Sequence, residues 1–194
     1  MKYYFLAASL PRLALGEPPP ISPAEFRDLC ARHLAPLDRA ALAQLLEDGP
    51  GPVRHPFVRE WREADRLLRN ATARQRAARR KTDPAPFLRE PDAFDVRTER
   101  DVHEAFAVPD PLARERKLDA VRWRRADELA QWDPFSSRAV LAYALRLALA
   151  ARWAGLDADA GRERASRVVH ARPRTEEEQP RGAPASPDRR PATE

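Results

Sequence analysis

FVREWREADRLLRNATARQRAARRK, residues 57–81, is the stretch of sequence that decides the fold. Its apolar residues recur every three or four positions, a spacing that places them on one face of an α-helix. This apolar stripe consists of Phe57, Trp61, Ala64, Leu68 and Ala71. A helix of this length would be roughly 35 Å long, enough to cross a small domain. We therefore predict one long helix whose first half packs against a core and whose second half faces a partner or solvent.

Positive charge is concentrated in the same part of the chain. Ten Lys or Arg and three Asp or Glu lie between Arg54 and Lys81, a local net charge of +7, whereas the whole chain carries +5. The densest part is the cluster Arg74, Arg76, Arg79, Arg80 and Lys81. Such a cluster is either a solvated helix end, where cations also suit the helix dipole, or a contact for an acidic protein, anionic lipid head groups or nucleic-acid phosphates.

Composition indicates further helices joined by stiff loops. The chain has only 6 Gly but 20 Pro, and its prolines gather between periodic segments. Ser22, Pro23 and Glu25 form the signature of a capping box at a helix start. Asp38 is expected to cap the next helix, and Asp110-Pro111 to open a later one.

The second half of the chain contains the most apolar helix that the sequence predicts. Thr98–Ala107 is expected to form a short helix before it. Asp133-Pro134 is expected to launch the helix Phe135–Trp153, which is apolar nearly all round and therefore central. Asp157 is expected to start a last helix that runs to about Val169.

The two ends of the chain are expected to lack helices. Tyr3–Leu10 predicts a short buried strand or extended segment, whereas prolines and balanced charge predict a disordered tail over 171–194. The sequence thus predicts an all-α fold: an irregular multi-helix bundle with a short extended N-terminal segment and a disordered C-terminal tail. Residues 1–170 would form the helical domain, either as one body or as two lobes, 1–81 and 92–170, joined by a proline-rich loop.

Sequence patterns for catalysis, cofactors, metals and membrane insertion are missing. The commonest nucleotide-binding and hydrolase motifs do not occur, and the four histidines lack ligand spacing. Cys30, the only cysteine, continues an apolar stripe and is expected to be a buried inert thiol. There is no run of eighteen apolar residues, and the apolar run Tyr3–Leu10 is short for a signal peptide. We expect a cytoplasmic protein that is not an enzyme and holds no cofactor or metal.

Several segments together resemble an uncharacterised bacterial family that is encoded in operons with V-type (A/V-type) ATP synthase proteins. Members of that family are similar to the C-type stalk protein of this machine, the relative of the eukaryotic d-type protein. The residues that carry the resemblance are Tyr3–Pro11, Leu68–Ala71 with Arg74 and Arg76, Leu118-Asp119 with Trp123, Tyr143, Leu145, Leu147, Arg152, Trp153, Asp157 and Gly161.

The resemblance implies a non-catalytic, all-α rotor component, cytoplasmic and peripheral to the inner membrane. Its partners would be the proteins of the central stalk and the proteolipid ring, with anionic lipid head groups as a further contact. The expected partner-binding residues are Arg69, Asn70, Arg74, Arg76, Arg79 and Arg80. Asn70 has a second interpretation, in which it hydrogen-bonds a neighbouring loop inside the bundle. The C-type stalk protein proper is longer and has three similar lobes, so a complete three-lobed socket is not expected here.

A nucleic-acid-binding helical protein is the alternative hypothesis, with residues 57–81 as the binding helix. Exposed aromatic residues usually accompany the cations of such a site. Phe57 and Trp61 lie instead on the apolar stripe, which disfavours nucleic acid as a partner.

Overall fold

The computed structural model describes residues 2–47, 52, 54–156 and 158–170, and no strand occurs among them. The helices are α1 (Tyr4–Ser9), α2 (Pro23–His33), α3 (Pro36–Leu46), α4 (Pro56–Arg80), α5 (Val96–Phe106), α6 (Pro111–Ala130), α7 (Ser137–Ala154) and α8 (Ala158–His170), with a 3-10 turn at Ala85–Phe87. The predicted all-α, multi-helix fold is therefore confirmed. The predicted tail, 171–194, lies outside the described residues.

Local capping chemistry sets several helix starts as the sequence predicts. At α2 the Ser22 hydroxyl accepts a hydrogen bond from the Glu25 N–H at 3.1 Å, and the Glu25 carboxylate accepts one from the Ser22 N–H at 2.9 Å. Asp110 caps α6 by accepting from two backbone N–H groups of its first turn. The long helix α4 ends at Lys81, which adopts the left-handed conformation with φ 54°. The two starts follow from residues within one turn of each other.

Three predictions about helix starts were wrong. Tyr4–Ser9 is helical rather than extended, because a short apolar run has no periodicity that separates helix from strand. α3 begins at Pro36 rather than at Asp38, since proline is favoured at the first helical position. α7 begins at Ser137, capped by Ser136, because Asp133 accepts from the N–H of Phe135 in a turn that precedes the helix.

Two hydrophobic clusters form the core of the described chain. The larger one joins α1, α2, α3 and the start of α4 to α7, which is central as predicted. The smaller one joins the middle of α4 to α5 and α6 through residues such as Leu68, Val102 and Leu118. α4 supplies Phe57 to the first cluster and Leu68 to the second, so this one helix carries both.

The chain divides into two compact units, one that ends at Gly155 and one that begins at Leu156. All the site residues discussed below belong to the first unit. The described part of the second unit includes the helix α8, whose residues from Gly161 to Val168 are exposed. Among the described residues, no helix is both long enough and apolar enough to cross a membrane.

Candidate functional site

An open groove of about 750 Å³ runs beside the C-terminal half of α4. α4 forms one wall, α6 forms the other, and the loop between α4 and α5 contributes to its lining. We call it the arginine groove, because five arginines and a single acidic residue, Glu115, line it. These arginines are Arg69, Arg76 and Arg80 of α4, Arg89 of the loop and Arg122 of α6. The groove has the volume of an ordinary ligand or peptide site.

Helical periodicity explains why α4 presents its arginines in one line. Arg69, Arg76 and Arg80 are separated by seven and four residues, so they lie on the same face of the helix. Ala73 and Ala77 lie between them and also line the groove. Because alanine side chains are small, they leave room above the helix backbone, and Leu118 of α6 completes an apolar floor.

The loop of the groove is held in place by a buried amide. Asn70 is completely buried, and its side-chain NH₂ donates to the carbonyl of Arg89 at 3.0 Å and to the carboxylate of Asp92 at 3.1 Å. Its amide oxygen accepts from the Arg89 N–H at 2.9 Å. These bonds correspond to the second interpretation of Asn70, in which it bonds a neighbouring loop. Asn70 thereby positions Phe87 and Arg89 at the groove.

Two of the predicted arginines face away from the groove, towards α5 and its loop. Arg74 donates to Asp92 at 2.8 Å and also binds Glu99. The hydrogen bond from Arg74 lowers the pKa of the Asp92 carboxyl below its ordinary value. Arg79 donates to the carbonyl of Phe106 and stacks over its ring at 5.1 Å. Arg74 and Arg79 therefore connect α4 to neighbouring segments of the same chain.

The arginines that line the groove differ in how far the protein itself neutralises them. Arg69 pairs with Asp65 at 2.5 Å, and Arg76 lies 3.7 Å from Glu115. In the described part of the chain, no carboxylate lies within ion-pairing distance of Arg80 or Arg89. Both are exposed. The end of the groove near the loop is therefore its most positive part.

A buried carboxylate orients the arginine on the opposite wall. Asp119 is completely buried and accepts from Arg122 at 2.6 Å, from Arg152 at 3.1 Å and from the indole N–H of Trp153 at 2.9 Å. Arg122 also lies 3.7 Å from Asp65 of α4. Asp119 thus ties α6 to the end of α7 and fixes the direction of Arg122.

The structure divides the set of residues predicted to bind a partner. Arg69, Arg76 and Arg80 line the groove, Arg74 and Arg79 face α5, and Asn70 is buried beneath the loop. Sequence reasoning missed Phe87, Arg89 and Arg122, which also line the groove. The one signal for them was on α6, where Glu115, Leu118 and Arg122 recur at helical spacing.

The chemistry that this arrangement supports is anion binding. Arginine offers a planar fork of donors that matches carboxylate and phosphate groups. Within the described ranges, no group of three or more His, Cys, Asp or Glu is placed to hold a metal ion. Cys30 is completely buried in the larger cluster, and burial raises the pKa of its thiol to about 12, so the thiolate is scarce at neutral pH.

Comparison with known proteins gives one match. A family model described as "Protein of unknown function (DUF2764)" matches residues 52–173, a range that includes every residue of the arginine groove. No curated protein and no solved structure matches the chain.

Proposed function

The chain belongs to the DUF2764 family of proteins of unknown function, and from this premise we propose that it is a non-catalytic component of a V-type ATPase, either similar to the C-type stalk protein or an accessory to it. In this proposal it acts at the cytoplasmic face of the inner membrane. It links the central stalk to the proteolipid ring during ion-coupled ATP synthesis or hydrolysis. Its contact with an acidic partner protein is the arginine groove.

The observation that carries the proposal is the charge of the arginine groove. Five arginines and one glutamate line it, and Arg80 and Arg89 have no carboxylate of the described chain beside them. A cleft lined by charge of one sign concentrates the potential and attracts groups of the opposite sign. An acidic surface on a stalk protein would supply the missing carboxylates.

The residues that carry the resemblance to the C-type stalk protein give further support. Several of them meet at the groove: Arg69 and Arg76 line it, Asn70 holds its loop, and Asp119 orients Arg122. Arg152 and Trp153 both donate to Asp119. A resemblance that rests on scattered sequence positions is therefore concentrated in one region of the fold.

The proposal is tested by recovering the tagged protein from its native membranes in mild detergent and identifying what accompanies it by mass spectrometry. We expect V-type catalytic, stalk or proteolipid proteins with the wild type. We expect their loss with the triple variant Arg69→Glu/Arg76→Glu/Arg80→Glu. The control variant Arg12→Glu/Arg32→Glu/Arg59→Glu changes the charge equally at exposed positions that do not line the groove. Recovery of no ATPase component with the wild type, or of the same components with the groove variant, would contradict the proposal.

One observation favours the alternative of nucleic-acid binding. Phe87 is 65% exposed and lines the groove together with Arg89. An exposed aromatic ring beside arginines is a feature of sites that stack single-stranded bases. The discriminating measurement is the anisotropy of labelled single-stranded and duplex oligonucleotides at increasing salt. Binding that persists at physiological salt, weakens with a steep log–log salt slope and disappears in the groove variant would replace the ATPase proposal.

A further inference from the structure

We infer that the arginine groove receives an α-helical segment of about three turns, apolar on its inner face and acidic on both flanks. The inference rests on the proposed function in using the same groove, and it specifies the chemistry of the partner. It follows from the length of the groove, the character of its floor and the spacing of its charges.

The length of the groove matches a short helix. Along α4 it extends from Arg69 to Arg80, roughly 16 Å at the helical rise of 1.5 Å per residue. Along α6 it extends from Glu115 to Arg122, roughly 10 Å by the same rise. Three turns of an α-helix also rise about 16 Å. A helix lying parallel to α4 would therefore occupy the groove from end to end.

The floor of the groove suits apolar side chains. Ala73 and Ala77, four residues apart, expose little more than a methyl group each, and Leu118 closes the floor from α6. Phe87 adds an exposed aromatic ring on the loop. Phosphates of a nucleic acid or a lipid would gain from the arginines but nothing from this floor. An amphipathic helix would use both, because its apolar stripe can cover the floor while its flanks face the arginines.

The charges of the groove fix where the acidic residues of the partner belong. Arg69, Arg76 and Arg80 recur along α4 at intervals of roughly 10 and 6 Å. A helix lying antiparallel or parallel to α4 presents Asp or Glu at the same intervals when these are seven and four residues apart. Arg89 and Arg122 serve the other flank from the loop and from α6. Charge-assisted bonds between arginine and carboxylate are among the stronger hydrogen bonds.

The test measures the binding of a synthetic peptide to the purified full chain. The probe is a labelled, end-capped peptide of about fifteen residues, with Leu at every third or fourth position and Glu on both flanks. Its control is a peptide of the same composition in scrambled order, which has the same charge but no apolar face. By fluorescence anisotropy we expect the patterned peptide to bind at least about tenfold more tightly than the scrambled one. Circular dichroism should show that it becomes helical on binding.

Two variants separate a helix-binding groove from a general polyanion site. Ala73→Tyr fills the floor without changing charge, and Ala78→Tyr places the same side chain at an exposed position of α4 that does not line the groove. Only the former should weaken the peptide, by about tenfold or more. Arg76→Glu/Arg80→Glu should weaken it as well, which keeps the test valid if Ala73→Tyr proves unstable in a thermal melt.

Equal binding of the patterned and scrambled peptides, or unchanged binding by the folded Ala73→Tyr variant, would overturn the inference, as would tighter binding of a single-stranded oligonucleotide. The two proposals fail separately. Peptide binding without recovery of ATPase components would sustain the helix-binding groove and contradict the ATPase role. Recovery of those components without peptide binding would do the reverse.

Discussion

Asn70 is a residue whose environment, rather than its chemical type, determines what it does. Its amide satisfies both backbone polar groups of Arg89 and also bonds Asp92, all from a completely buried position. Buried backbone groups that lose their partners cost free energy because water cannot replace the lost bonds. Asn70 is therefore a positioning residue for the loop that carries Phe87 and Arg89.

Asn70→Ala should lower the free energy of unfolding by about 2–4 kcal/mol, because it leaves the N–H and C=O of Arg89 without partners. Urea denaturation followed by circular dichroism measures the change. Thr72→Ala is the matched control, since the Thr72 hydroxyl donates only to the Leu68 carbonyl of its own helix. It should cost less than about 1 kcal/mol. A cost for Asn70→Ala no greater than that of Thr72→Ala would contradict the positioning role.

The sequence left the role of Asn70 open for a physical reason. Helical periodicity places a residue on a face, but it does not say what lies against that face. The partner of Asn70 is Arg89, nineteen residues further on, in a proline-rich loop without any period. The same limit explains why Arg69 and Arg76 were predicted as site residues while Arg89 was missed.

At the scale of elements, the Asp38 carboxylate joins three segments of the chain. It lies on α3 and accepts hydrogen bonds from the Tyr3 hydroxyl and from the Lys2 ammonium, the latter at 2.9 Å. It also lies 3.2 Å from the Nε2 atom of His55, the residue that caps α4. Burial by itself would raise the pKa of Asp38, but the hydrogen bonds from Tyr3 and Lys2 outweigh burial and lower it.

The stability that Asp38 contributes should disappear in acid. A lowered pKa in the folded state means that the contribution is present above the unfolded pKa of about 4 and is lost as pH falls through the folded value. We expect wild type to be more stable than Asp38→Asn at neutral pH and the difference to shrink towards about pH 3. Denaturation over this pH range measures it, with the exposed Asp28→Asn as control. A difference that stays constant down to about pH 3 would refute this linkage.

Element starts were largely predictable, whereas the arginine groove was not. Ser22, Glu25 and Asp110 cap their helices through bonds within a single turn, so the local sequence contains the whole signal. The groove needs α4 and α6 side by side, and the residues that face each other across it are far apart in the chain. Periodicity predicted the faces of both helices but not that they would be neighbours.

At the scale of the whole molecule, the family match and the hydrophobic core have different boundaries. The match begins at residue 52, before α4. The larger cluster, however, includes Phe26 and Cys30 of α2 and Leu42 of α3, packed with residues of α7. Each large apolar side chain that is fully buried stabilises a fold by about 1.5–3 kcal/mol. The matched region therefore depends on packing partners that precede it.

A fragment of residues 52–173 should fail to fold cooperatively, because the face of α7 that α2 and α3 cover would be exposed to water. Thermal melts and the dispersion of amide NMR signals measure this. A chain ending at residue 170 is the control, since it retains α1 to α8 and should melt as the full chain does. A cooperative transition of the fragment at the melting temperature of the full chain would contradict the prediction.

The groove is built from arginine, and this choice has a practical consequence for chemical labelling. The chain has three lysines, Lys2, Lys81 and Lys117, and all three are exposed. Lys2 pairs with Asp38, far along the chain from the groove, but Lys81 follows Arg80 directly and Lys117 adjoins Leu118 on α6. Lysine-directed cross-linkers therefore have two of their three side-chain attachment points beside the groove. Cross-linking mass spectrometry of an assembly would map this surface by default and leave most of the remaining surface unlabelled.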